Sequence, residues 1–228
     1  MKEPLISIVI PTYNEAETIG STIEHLRPWS DMIEIIVVDG GSSDGTAGLI
    51  PEGIKLIQSP RGRAVQMNAG ARQATGKALL FLHSDTRLPH GFLRQIELAL
   101  ANHSVAGGAF KVRFDHPGLF FHIAALGSNL RAGLARIYFG DQAIFARRET
   151  FNKLGGFPAV ELMEDWEFSR RLGRAGKTML LPGPVTTSAR RWLLYGKWRT
   201  AWLMHKLKLL YLLGVSPAAL KRMYTDRR

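Results

Sequence analysis

The feature that most constrains this chain is the spacing of its apolar runs. Residues 5–10, 33–38, 54–57 and 78–82 are short, apolar or β-branched, and bounded by Pro, Gly, Asp or Ser. Such runs read as strands buried on both faces. Residues 15–26, 63–74 and 92–100 instead space their apolar side chains three and four apart, as amphipathic helices do. Strands alternating with helices predict a parallel sheet covered on both sides. Ligands of such sheets lie beyond the carboxyl ends of the strands, which directs attention to residues 11–15, 39–45, 59–63 and 83–86.

The second half is less regular. Residues 106–114 and 143–146 read as strands, 116–137 as a Gly-interrupted amphipathic stretch and 164–172 as a helix. A final helix is expected from about 192 to 213, ended by Gly214, Ser216 and Pro217. With 228 residues, the chain suits one domain with an appended segment. The expected division is a domain over 1–188, with halves 1–87 and 88–188, and a helical extension over 189–228. Cysteine is absent, which excludes disulfides and thiolate metal sites and fits a reducing compartment. The apolar run before Pro11 is too brief for a signal peptide core or a spanning helix, so a cytoplasmic location is expected.

A net charge of +11 implies an anionic partner: a phosphate-bearing substrate, an acidic membrane face or nucleic acid. Six Lys or Arg fall between Arg190 and Lys208, among Trp192, Tyr195, Trp198 and Trp202. This segment reads either as a helix packed on its parent domain or as an interfacial helix on the inner face of an anionic membrane. His205 and Lys206 interrupt its apolar run and argue against a membrane span.

Two motifs carry the chemistry of the first half. Pro11-Thr12-Tyr13-Asn14-Glu15 ends a strand and opens a helix, where free N–H groups can receive a base or a phosphate, although an ordinary capped turn looks the same. About 25 residues later, Val38-Asp39-Gly40-Gly41-Ser42-Ser43-Asp44-Gly45-Thr46 sets carboxylates around a glycine turn. Together they resemble the family 2 glycosyltransferases of GT-A fold. The resemblance implies an α/β architecture: a Rossmann-like, mostly parallel sheet flanked by helices, with a C-terminal helical extension. It also implies a nucleotide diphosphate sugar as donor, carried by UDP or GDP. Asp39 then accepts a hydrogen bond from the base, and Pro11, Thr12, Tyr13 and Glu15 line its pocket.

The resemblance continues along the chain. Arg61-Gly62-Arg63 and Asn68 match a basic segment before the metal strand, with Arg63 the donor contact and Arg61 nearly as suited. Leu82-His83-Ser84-Asp85-Thr86 stands in the place of the family's Asp-X-Asp motif, so Ser84 and Asp85 face the donor and Asp85 holds Mg²⁺ or Mn²⁺. His83 occupies the position of the usual first aspartate; it either adds a nitrogen ligand favouring Mn²⁺ or packs at the strand end. Leu154-Gly155-Gly156-Phe157-Pro158 and Leu162-Met163-Glu164-Asp165-Trp166 match the element that supplies the general base, here Asp165, with Glu164 beside it. A carboxylate there can take the proton of an acceptor hydroxyl, although acidic residues at a helix start also complement its dipole.

Gly140-Asp141-Gln142 places Asp141 and Gln142 on the acceptor side. Ser188-Ala189-Arg190-Arg191-Trp192 is similar to the Gln-X-X-Arg-Trp element of processive members, with Ser188 in place of Gln, Arg191 toward the diphosphate and Trp192 toward the acceptor. In detail these segments resemble a small bacterial subgroup associated with arsenosugar-type biosynthesis. The implied activity is metal-dependent, inverting hexosyl transfer, with no nucleic acid as partner. Two other readings compete. A nucleotidyltransferase of the sugar-nucleotide pyrophosphorylase kind wants a Gly-rich phosphate loop where this chain has Pro11 to Glu15. A non-catalytic basic module for membranes or nucleic acid draws on the charge and on His83.

Overall fold

The computed structural model describes residues 4–225. In its first strand, β1 (Ile6–Thr12), alternation sends Ile6, Ile8 and Ile10 to one face of the sheet and Val9 to the other. A strand apolar on both sides needs cover on both. On the first face α1 (Ala16–Leu26) buries Ile19, Ile23 and Leu26. β2 (Ile33–Asp39) runs parallel to β1 with Asp39 opposite Thr12, and β3 (Lys55–Gln58) runs parallel to β2. On the second face lies α2 (Arg63–Arg72), whose Ala64, Ala69, Gly70 and Ala71 let its backbone approach closely. A Cβ on Gly70 would run into Val9 and meet Val38 at 2.9 Å. β4 (Ala78–Phe81) pairs in parallel on the other side of β1.

Beyond β4 the sheet becomes mixed. The chain continues through β5 (Thr86–Arg87), α3 (Phe92–Ala101), β6 (Val105–Phe114), α4 (Leu119–Ala135), β7 (Phe145–Arg147), α5 (Arg148–Lys153), α6 (Glu164–Ala175) and β8 (Lys177–Thr187). The strand order is β3-β2-β1-β4-β7-β6-β8-β5. β7 is antiparallel to β4 and β6, while β8 is parallel to β6 and antiparallel to β5. β8 is not predicted by the sequence, because Pro182-Gly183-Pro184 masks it. The strand absorbs these residues as a bulge: Phe110 faces Leu181, whereas Val112 faces Val185.

The expected single helix over 192–213 is two helices. Gly196, with φ 84°, separates α7 (Arg190–Tyr195) from α8 (Lys197–Leu212), and α9 (Pro217–Thr225) follows. Leu203, Leu207 and Leu220 of this segment cluster with Met163 at the head of α6, so one side of it packs on the sheet domain. Among the described residues no helix is long and apolar enough to cross a membrane.

Candidate active site

The loops after β1 and β2 are laced together. The N–H groups of Asn14 and Glu15 donate to Ser42 Oγ (2.9 Å) and Thr46 Oγ1 (2.8 Å), and Ser43 N–H donates to Asn14 Oδ1 (2.9 Å). Asp44 Oδ2 accepts the Ala16 N–H at 3.0 Å, so the second loop caps the first turn of α1. Asp39 is buried and accepts from Gly41 N–H (3.1 Å), Ser42 N–H (3.0 Å) and the Ser42 hydroxyl. Its carboxylate is therefore oriented before any ligand arrives. Gln66, which the sequence reading passed over, donates from Nε2 to the carbonyls of Thr12 (2.6 Å) and Val38 (2.9 Å) and so sews the ends of β1 and β2 together. No sequence motif marks it, because its burial among the small apolar residues of α2 is set by the fold. Arg61 lies over the Tyr13 ring, 3.9 Å from its centre.

A second cluster forms around Arg63. Asp165 sits in the first turn of α6, a helix anchored by buried Phe168 and Leu172. Its Oδ2 accepts Gly140 N–H at 2.8 Å and Arg63 Nη2 at 3.4 Å, while its Oδ1 is buried without a partner. Arg63 Nε also lies 3.5 Å from Glu164 Oε1, and Nη2 donates to His83 Nε2. Burial works against the charge of Arg63, yet the carboxylates of Asp165 and Glu164 hold it firmly protonated. His83 is neutral: burial first, then the charges of Arg63 and Arg191, push it well below the ordinary histidine range. Burial, reinforced by the charge of Asp165 and opposed by Arg63, pushes Glu164 up to about 7. Asp141 is also raised, by burial above all and against Arg131; the charges of Asp165 and Asp85 act in the same direction. A Cβ on Gly140 would meet the tips of the Arg63 and His83 side chains, which would then have to shift.

Asp85 lies between β4 and β5, and its loop is pinned on two sides. Ser188 N–H donates to the Asp85 carbonyl at 3.2 Å, and the Thr22 hydroxyl donates to the carbonyl of buried Ser84 at 2.6 Å. The ends of β2 and β4 stand two strand spacings apart, about 10 Å, so Asp39 and Asp85 share one rim of the sheet. His83 turns the electron pair of Nε2 toward Arg63 and does not offer that nitrogen to a cation. Among the described residues, no group of three or more His, Cys, Asp or Glu is arranged to hold a metal ion. One carboxylate at Asp85 suits a cation that takes its remaining ligands from phosphate oxygens and waters, as Mg²⁺ commonly does.

Other expected site residues also make contacts within the protein. Asn68 holds the loop before α6, with Nδ2 donating to the Phe157 carbonyl (2.8 Å) and Oδ1 accepting the Phe157 N–H (2.9 Å). Gln142 is wholly buried; Oε1 accepts Arg131 Nη2 at 2.7 Å and Nε2 donates to the Phe110 carbonyl at 3.3 Å. Trp192 packs edge-on against Phe114, with ring centres 5.6 Å apart. Arg191 donates to the Tyr224 hydroxyl at 3.2 Å, and Arg190 reaches back to Glu15 at 3.6 Å and to Glu17. Beside Asp85, an open cavity of about 480 Å³ is lined by Asp115, His116, Ser188, Arg190, Leu193 and Leu194. It does not include Asp39, Asp85 or Asp165.

Residues 7–159 match the family model described as glycosyl transferase family 2. The chain is 28% identical over 234 residues to the probable glycosyltransferase YdaM of Bacillus subtilis, covering 89% of this chain and 55% of that protein. It is 29% identical over 190 residues to the PGL/p-HBAD biosynthesis glycosyltransferase of Mycobacterium tuberculosis, covering 75% of this chain and 70% of that one. The chain thus spans about half the length of YdaM. Among solved structures, the mannosyltransferase PcManGT of Pyrobaculum calidifontis, in complex with GDP-Man and Mn²⁺, matches with a TM-score of 0.63 at 22% identity, over 82% of this chain and 57% of that one. That likeness shows the fold, an α/β sheet of GT-A type flanked by helices.

Proposed function

Since the chain belongs to glycosyl transferase family 2, we propose that it moves a sugar from a nucleotide diphosphate sugar, carried by UDP or GDP, onto an acceptor hydroxyl with inversion at the anomeric carbon. The observation that carries the reading is the asymmetry of Asp165. One oxygen is fixed by Gly140 N–H and Arg63, and the other, buried, has no partner. A carboxylate held through one oxygen keeps the other for a proton. That oxygen has no exposed surface, so an acceptor reaches it only after the side chains around it rearrange. Asp165 then takes the hydroxyl proton, the acceptor oxygen bonds to the anomeric carbon, and the bond to the diphosphate breaks with its electrons leaving on the nucleotide.

Glu164, pushed toward its protonated form by burial and by the Asp165 charge, limits the negative charge gathered around Arg63. When bound at Asp85, Mg²⁺ or Mn²⁺ supplies positive charge to the leaving diphosphate. The complex of PcManGT with GDP-Man and Mn²⁺ supports both the donor class and a divalent cation. In this reading Pro11, Thr12, Tyr13, Glu15 and Asp39 receive the nucleotide, Asp141, Glu164, Arg191 and Trp192 face the acceptor, and residues 189–228 extend a catalytic domain over 1–188. The Gly140-Asp141-Gln142 and Arg190-Arg191-Trp192 segments support a place in the bacterial arsenosugar-type subgroup.

Asp165→Asn tests the assignment. Turnover should fall by about 10²-fold to 10⁴-fold, the usual worth of a general base, while calorimetry with UDP- and GDP-sugars plus Mn²⁺ finds donor affinity little changed. Retained turnover, or equal loss of donor binding, overturns it.

A further inference from the structure

We propose that the outer faces of α4 and α8 together form a docking surface for an anionic lipid bilayer. The proposal does not depend on the chemistry at Asp165. Leu119, Ile123, Leu126, Leu130 and Leu134 recur three and four apart along one stripe of α4 and are 59–78% exposed. The opposite side of the same helix buries Phe121, Ala125 and Ala132. A helix that is apolar all round is normally covered all round; this one is covered on half its surface. α8 repeats the arrangement. Thr200, Leu203 and Leu207 face inward, while Trp198, Trp202, Leu209, Leu212 and Leu213 are 56–72% exposed on the helix and at its end.

The two stripes make one face. Near one end the Phe120 ring lies 4.9 Å from Trp198, and near the other Arg131 of α4 and Lys208 of α8 both approach the Phe139 ring, at 4.3 Å and 5.9 Å. The helices therefore run side by side in the same direction, each with its apolar stripe turned away from the core. Isolated apolar residues on a surface are ordinary, but a continuous patch of this extent marks an interaction site.

Charge selects the partner. Neither residues 119–135 nor residues 190–212 contain an Asp or Glu, and α8 carries Lys197, Arg199, Lys206 and Lys208 around its Trp and Leu stripe. Lys206 lies over the Trp202 ring at 4.9 Å, an aromatic body with a cationic tip as interfacial helices present to headgroups. Two copies meeting through this face would press these cations together with no carboxylate between them. A bilayer of anionic lipid instead neutralises the basic side chains while accepting the leucines.

The test is flotation of the full chain with vesicles of phosphatidylglycerol and phosphatidylcholine, or of phosphatidylcholine alone. We expect binding to the anionic vesicles, a blue shift of tryptophan fluorescence, and weakening by about tenfold or more in L126E/L130E and in W198S/W202S, as apolar insertion requires. Both variants alter exposed side chains, so their unfolding midpoints should stay near that of the parent. Absence of binding to anionic vesicles at low salt overturns the proposal. So does binding that L126E/L130E leaves intact, which is adsorption by charge alone, or a dimer in light scattering that dissociates in L126E/L130E.

Discussion

Replacing Glu164 with glutamine should stabilise the protein at alkaline pH while changing little at acidic pH. The residue is 4% exposed, and its pKa rises from 4.5 to about 7, through burial first and the neighbouring Asp165 charge second. A raised pKa means that the folded state holds the proton more tightly than the unfolded state. The associated stability is complete below about pH 4.5 and is lost as pH climbs through 7. At about 1.4 kcal/mol for each tenfold change in proton affinity, the loss is on the order of 3 kcal/mol. Glutamine keeps the shape and never ionises, and its carbonyl can still accept from Arg63, so the variant escapes that loss. In a chain of this size the gap at pH 8 corresponds to roughly 6–12 °C in Tm. Urea midpoints of parent and variant at pH 5 and pH 8 measure it. Parallel pH profiles, or a glutamine variant less stable at pH 8, would refute the burial argument. Asp165→Asn in the same assay should shrink the pH dependence of the parent, because it removes the second cause of the shift.

Two further outcomes follow from the same cluster and its supporting loop. Gly140→Ala drives a methyl group into Arg63 and His83, and turnover should fall by about 100-fold with only a modest change in Tm, since displacements near 1 Å carry that cost; parent-like turnover would mean that the close approach is not needed. Asn68→Ala leaves the Phe157 N–H and carbonyl without their partners and should cost about 2–4 kcal/mol in urea unfolding, whereas a change near zero would show that water replaces the amide.

β1, β2 and β4 are legible because each is apolar on both faces and ends at a polar loop, so Ile6, Ile8 and Ile10 on one side and Val9 on the other identify β1 without any tertiary information, whereas β3, expected to be buried on both faces, is a mostly exposed edge strand. β8 is hidden for a local reason, since its Pro-Gly-Pro interruption resembles a turn until the bulge opposite β6 is seen. The break at Gly196 is hidden for the converse reason: glycine inside a helical pattern costs only about 1 kcal/mol, and only its positive φ reveals the end of α7. In the site, motif position locates Asp39, Asp85 and Asp165 at element ends, but it does not separate a side chain that faces a ligand from one that holds backbone. Asn68 and Gln142 spend their amides on the scaffold. Gln66 carries geometry that no motif announces, and the Gly140-Asp141-Gln142 segment does not reveal how closely Gly140 approaches Arg63 and His83.

The least legible relation is the one around Arg63. It joins residues 102 positions apart in sequence, and it gives a physical account of the histidine at position 83, where the resemblance expects an aspartate. A neutral imidazole accepts from Arg63 without adding charge, so the guanidinium remains electrostatically committed to Glu164 and Asp165. A carboxylate at 83 would compete for the same cation and add another negative charge to a rim where Asp85, Asp141, Glu164 and Asp165 already influence one another. Glu164 and Asp141 are already pushed toward their protonated forms, so that added charge would fall on groups with little capacity left to bear it. The histidine at position 83 therefore fits beside Arg63 and the crowded carboxylates without adding to their charge.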